Sequence, residues 1–249
     1  MGCSVLILTK NEADNIVDCI ESCRAFGDEF LVIDDFSSDK TVELATEHGA
    51  KVIQNRMSTG WASQRNLAIA NAKEDWIFFI DADERCTIEL AEEIRLITRE
   101  QPKTAYWVKR MNHFGRQMMK YGPLSPDWVL RLGDRKTSRY EGIVHESMKC
   151  DLPTEKLRSP MLHYTYKTWE QYEAKMARYS TMAAKKYFEE GRREVSVFRV
   201  FTRAFFSFIK MYLLKAGFRD GKLGFLLACG YARYSFDKYV KLYFLSLGK

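Results

Sequence analysis

From residue 4 to about residue 110, short apolar runs alternate with segments whose apolar residues recur every three or four positions. Val5-Leu6-Ile7-Leu8, Phe30 to Ile33, Lys51 to Ile53 and Trp76 to Ile80 read as strands, several with the near-continuous hydrophobicity of a strand covered on both faces. Between them, Ile16, Ile20 and Cys23 fall on one helical face, Ser38-Asp39 opens a second helix, a third starts around Thr59 to Trp61, and Thr87 is placed to cap a fourth. Strands alternating with helices predict an α/β fold with a mostly parallel sheet. From about 104 to 150 the pattern changes to short strands and loops, punctuated by Gly115, Gly122-Pro123, Pro126, Gly133 and Gly142. Residues 168–190 then read as helix. Two long helical patterns follow, about 195–216 and 222–245, joined through Gly217-Phe218-Arg219-Asp220-Gly221.

With 249 residues, 46% of them apolar, the chain can bury a full core and suits one large domain with an extension. Its six cysteines are scattered, without C-x-x-C pairs or zinc-finger spacing, and read as reduced thiols; Cys19 and Cys23 sit at apolar helix positions, where packing is the expected role. The first apolar run is too short for a signal peptide, and Leu6 breaks a myristoylation motif at Gly2. The longest uncharged stretch, Leu223 to Ala232, is ten residues and cannot span a bilayer as a helix. Net charge is +6, but residues 195–249 hold ten Lys and Arg against two Asp, so the first 194 residues carry −2. An anionic partner is therefore expected for the tail alone.

Asp81-Ala82-Asp83 directly follows the fourth apolar run. Two carboxylates one residue apart can face one divalent cation, and a hard cation so held completes its shell with phosphates and water, which makes a nucleotide diphosphate the first ligand to consider. An isolated D-x-D is more often a solvated turn. Here Thr9 and Asp34-Asp35 also follow predicted parallel strands, and ligands of such sheets bind beyond the carboxyl ends, so all these groups are expected on one rim.

Four segments in order, Leu8-Thr9-Lys10-Asn11-Glu12, Val32 to Thr41, Gln64-Arg65-Asn66 and Ile80-Asp81-Ala82-Asp83-Glu84, resemble the family 2 glycosyltransferases of the GT-A fold, inverting enzymes with nucleotide-sugar donors. Within that family the chain looks most like the small bacterial β-1,4-glucosyltransferases of lipopolysaccharide core assembly. The resemblance implies a catalytic domain over 1–165, with a nucleotide-sugar half to 110 and an acceptor half from 111, and a helical extension over 166–249. It implies that Thr9 and Asp35 line the base and ribose pocket, with Asp35 accepting from uracil, and that Asp34 either shares this role or ends its strand. Arg65 would lie near the diphosphate. Asp81 and Asp83 would contact the metal and ribose diphosphate, with Asp83 the direct ligand of Mg2+ or Mn2+, cations that suit oxygen ligands and a site without a Cys/His cage. Glu84 either faces the site or caps the next helix, with the cap the expected role. Glu146, in Gly142-Ile143-Val144-His145-Glu146, would be the base that takes the acceptor proton, with Asp127 and Glu141 as alternatives; His145 would orient it, contact phosphate or simply pack. His163 is either a third metal ligand or a packed histidine. Phe36 departs from the family, where glycine is common at that position.

In residues 195–216, Ser196, Arg199, Arg203, Ser207 and Lys210 form a narrow polar stripe amid Phe198, Phe201, Phe205, Phe206, Phe208 and Leu213. So wide an apolar arc must be covered. A hairpin packed on the catalytic domain, or a dimer interface in a homo-oligomer, would cover it. Basic residues among interfacial aromatics suit an anionic membrane surface, and the lipid-linked glycan acceptor implied by the resemblance lies there, so peripheral contact at the cytoplasmic face of the inner membrane is the expectation. Nucleic acid is not expected, because the aromatics lie on the apolar arcs instead of lining a polar groove. A nucleotidyltransferase would also join a metal-binding acid motif to an α/β sheet, but it predicts a Gly- and Lys/Arg-rich phosphate loop after the first strand, which Leu8-Thr9-Lys10-Asn11-Glu12 is not.

Overall fold

The computed structural model describes residues 1–57, 60–142, 146–192 and 196–247. The chain forms two compact units, Met1–Met111 with Asp127–His163, and Asn112–Pro126 with Tyr164–Lys249. In order it runs β1 (Cys3–Thr9), α1 (Ile16–Ser22), β2 (Glu29–Asp34), α2 (Thr41–Glu47), β3 (Lys51–Gln54), α3 (Trp61–Asn71), β4 (Trp76–Asp81), β5 (Glu84–Cys86) and α4 (Ile88–Ile97). Then follow β6 (Ala105–Phe114), β7 (Gln117–Met118), β8 (Asp127–Asp134), β9 (Ser138–Glu141), β10 (Ser147–Cys150), β11 (Thr154–Tyr166), α5 (Trp169–Glu189), α6 (Val197–Ile209) and α7 (Gly221–Leu247).

The main sheet of the first unit has the order β3-β2-β1-β4-β8-β6-β11-β5. Its first four strands are parallel, as their unbroken apolar runs predict. Val5 and Ile7 of β1 enter one core with Ile16, Cys19 and Ile20 of α1, Ala45 of α2 and Leu90 and Ile94 of α4, while Leu6 and Leu8 enter a second with Ala68 and Ile69 of α3. Helices thus cover both faces. Antiparallel pairs extend the sheet, β8 to β4 and to β6, β7 to β6, and β5 to β11. Neither β5 nor the full length of β11 was expected: three residues are too few to show a period, and the start of β11, Thr154-Glu155-Lys156-Leu157-Arg158, is too charged to read as a strand. Thr87 caps α4, its hydroxyl accepting from the Leu90 N–H at 3.1 Å. Of the third helix's expected start, Thr59 lies outside the described residues.

In the second unit, Met119, Tyr166, Tyr172 and Leu227 form a small core. Asp220 ties its two segments together, accepting from the N–H groups of Lys120 (3.1 Å) and Tyr121 (2.8 Å). The helix expected over 195–216 runs as α6 to Ile209 and continues as a π-helical turn over Lys210–Leu214, before Ala216 turns left-handed at φ +53° and a 3-10 turn follows at Gly217–Asp220. A close approach accompanies the turn. A Cβ on Gly217 would stand 2.6 Å from the Met211 carbonyl oxygen, so only glycine lets the chain fold back there.

Candidate active site

Register places the predicted acids on one rim of the first unit. Thr9 pairs with Asp34, and Leu8 with Asp81, so the carboxyl ends of β1, β2 and β4 lie side by side. Asp34 is wholly buried and accepts from the Thr9 hydroxyl (3.1 Å), the Ser37 N–H (2.9 Å), the Ser37 hydroxyl and the Gln54 amide (3.3 Å). Asp34 is the last residue of β2. Thr9, buried against Asp34, helps fix it. Asp35 accepts from Lys10 Nζ at 2.7 Å and from the Met57 N–H at 3.0 Å; these bonds, the Lys10 one foremost, hold its carboxyl below the ordinary value. Phe36 follows at φ +53°, a left-handed conformation that glycine enters without strain, which accounts for the residue common there in the resembling family.

Both carboxylate oxygens of Asp81 are held by arginines. Its Oδ1 accepts from Arg65 Nη2 (2.9 Å), its Oδ2 from Arg131 Nη2 (2.7 Å), and its own N–H donates to Glu84 Oε2 (2.9 Å). Burial alone would raise this carboxyl, but Arg131 and then Arg65 outweigh it and hold the group well below the usual carboxylate range. Arg65 itself lies over the rings of Tyr140 (5.0 Å) and Phe79 (5.5 Å), and its Nε and Nη1 have no hydrogen-bond partner among the described residues. Asp83 is 30% exposed, with His163 Nε2 at 3.3 Å from its Oδ2. His163 comes from β11, where pairing with Glu84 brings it beside the acid turn.

Glu84 does not cap α4; Thr87 does. Glu84 is wholly buried, and its carboxylate accepts from Arg131 Nη2 (2.8 and 2.9 Å) and Arg110 Nη1 (3.2 Å). A buried carboxylate needs such partners far more than a helix start needs a second acid. The three candidate bases differ in surroundings. Asp127 is forked by Arg110 (3.1 and 2.6 Å), Glu141 is exposed beside Arg139 (2.8 Å), and Glu146 is half-buried directly before β10. His145 lies outside the described residues. Arg110, Arg131 and Lys10 belong to this cluster without having been singled out. For Arg131 a signal existed, a charge inside the apolar run Val129-Leu130-Arg131-Leu132.

The profile of glycosyl transferase family 2 matches residues 4–151 of this chain, the span that builds the rim. The chain belongs to that family. This glycosyltransferase is 30% identical to an uncharacterized glycosyltransferase of Rickettsia bellii, over 98% of its own length and 87% of the relative's. It is 27% identical to the lipopolysaccharide core biosynthesis glycosyltransferase LpsC of Rhizobium meliloti, over 96% and 91%. Among solved structures it is similar to residues 1–349 of S. aureus TarS in complex with UDP-GlcNAc, at TM-score 0.49 and 14% identity over 100% of this chain and 93% of that one. A likeness to the glucosyl-3-phosphoglycerate synthase of Mycobacterium tuberculosis, at TM-score 0.31 and 26% identity, spans 33% of each chain. The architecture of this glycosyltransferase is the α/β GT-A fold, with a helical C-terminal part.

Proposed function

We propose that this glycosyltransferase is a metal-dependent, inverting hexosyltransferase that moves glucose from UDP-glucose to a hydroxyl of a lipid-linked bacterial glycan of the lipopolysaccharide core type. The observation that carries the reading is the gathering of Asp35, Asp81 and Asp83 on one rim at the carboxyl ends of β2 and β4. The relationship to LpsC supports the acceptor class.

Asp35 is placed to accept the imide N–H of uracil, which a cytosine ring lacks. Among the described residues no group of three or more His, Cys, Asp or Glu is arranged around a metal position, so an all-protein cage does not fit. The pair Asp83 and His163 does fit a cation that takes its remaining ligands from a diphosphate, and Mg2+ or Mn2+ bound there would neutralise charge on the departing UDP. Asp81 fits ligation less well, because each of its oxygens already accepts from an arginine. Glu146 takes the proton of the acceptor hydroxyl as its oxygen bonds to the anomeric carbon. The bond from that carbon to the diphosphate oxygen breaks on the opposite side, UDP leaves with the electron pair, and the configuration inverts.

No helix among the described residues is long and apolar enough to cross a membrane. Peripheral contact through the C-terminal helices, on the cytoplasmic face of the inner membrane, belongs to this reading. It is supported by α6, which buries Val200 and leaves Phe198, Phe201, Phe205 and Phe206 exposed.

The reaction is tested by UDP release from a panel of nucleotide sugars with and without Mn2+. Release should require the metal and fall about 100-fold or more in Asp83→Ala. Release indifferent to both metal and Asp83 would sink the mechanism.

A further inference from the structure

β8 delivers Arg131 into the interior beneath the acid turn, where it is 4% exposed. A single nitrogen, Nη2, touches two acids at once: Asp81 Oδ2 at 2.7 Å and both oxygens of Glu84 at 2.8 and 2.9 Å. Arg110, from the adjoining strand β6, adds a second guanidinium to Glu84 and forks Asp127. Glu84 in turn accepts the Asp81 N–H, and Arg85 Nη1 donates to the carbonyls of Ala82 and Glu84, both at 2.7 Å. The turn from Asp81 to Glu84 is therefore fastened at its first and last residues and along its backbone.

Three guanidiniums, Arg65, Arg110 and Arg131, meet three carboxylates, Asp81, Glu84 and Asp127. The charges balance before any ligand arrives. Pairing Glu84 alone would satisfy a role in building the core. Arg131 does more, because its second contact reaches Asp81, which is 28% exposed on the rim.

We propose that Arg131 is a positioning residue for the donor site: it clamps Asp81 to Glu84 and thereby fixes the direction in which Asp83 meets the cation of a bound nucleoside diphosphate. The inference rests on the proposed donor reading. Outer partners that orient a metal-binding acid commonly change metal affinity by about 10- to 100-fold when removed, without touching the metal themselves. The effect should therefore appear in metal-dependent binding of the nucleotide and leave its metal-free binding alone.

Calorimetric titration of UDP into the full chain, with and without Mn2+, reads this without an acceptor. Two variants separate positioning from folding. Arg131→Lys keeps the charge but offers a point ammonium in place of the planar fork. Arg131→Met combined with Glu84→Gln removes both members of the buried pair and leaves no unpaired interior charge between them. In variants whose thermal melts remain cooperative, the Mn2+-dependent affinity for UDP should fall about tenfold or more, less in Arg131→Lys, with metal-free affinity within about twofold of the parent. Unchanged Mn2+-dependent affinity, or equal losses with and without the metal, would overturn the proposal. So would failure of both variants to fold, which would assign the arginine to the core alone. If the unaltered chain shows no Mn2+-dependent UDP binding, the donor reading itself falls and takes this inference with it, a result distinct from all of these.

Discussion

Asp81 and Asp83 are two residues apart in sequence and opposite in circumstance. Asp81 is held between two guanidiniums, whereas Asp83, exposed to a similar degree, has one imidazole beside it. Removing the charge at Asp81 leaves the buried Arg65 without its carboxylate and Arg131 with Glu84 alone, so Asp81→Asn should cost about 2–3 kcal/mol in urea denaturation. Asp83→Asn should cost under about 1 kcal/mol while losing metal-dependent UDP release. Equal destabilisation by both would contradict this division of labour. The acids were legible from sequence because each ends an apolar run, and strand ends in a parallel sheet share a rim. Their partners were not. Arg131 reaches Asp81 only because β8 lies next to β4, a pairing between strands separated by about fifty residues that no local pattern encodes.

The element that stands out is α6. A core-facing helix buries its apolar stripe, but here Phe198 is 77% exposed and Phe206 64%, with Arg199 and Arg203 on the same helix. If this face enters the headgroup region, Phe198→Asp with Phe205→Asp should lower partitioning onto anionic liposomes about 10- to 100-fold. Both side chains are already exposed, so the thermal melt should hardly move. Flotation equal to the parent, or binding indifferent to raised salt, would reject the contact. The periodicity of α6 was plain in sequence. Its end was not, because the turn after Leu214 depends on the approach of Gly217 to the Met211 carbonyl.

At the scale of the whole molecule, the expected thiol chemistry follows burial. Cys3, Cys19, Cys23 and Cys86 are buried, Cys150 is half-buried and Cys229 is exposed, and all six are free. Burial pushes the thiols of Cys3, Cys19 and Cys86 well above their ordinary value, which leaves little thiolate. Iodoacetamide at neutral pH should therefore modify Cys229 first and Cys150 next, and reach the other four only as the first unit unfolds. Mass spectrometry of a labelling time course in urea checks the order. Early modification of Cys19 or Cys86 would contradict the packing of α1 against β5. The α/β class was readable from alternating periods over residues 4–110, whereas the antiparallel half of the sheet was obscured by the charged strand β11 and the minimal strand β5.

The bond between Lys10 and Asp35 gives the proposed donor pocket a resident occupant. An ammonium holds the carboxylate oxygen that, on this reading, a uracil imide must claim. On the proposed reading, a uracil imide would have to compete with the Lys10 ammonium for the Asp35 carboxylate. The other Asp35 oxygen keeps its bond from the Met57 N–H in either case.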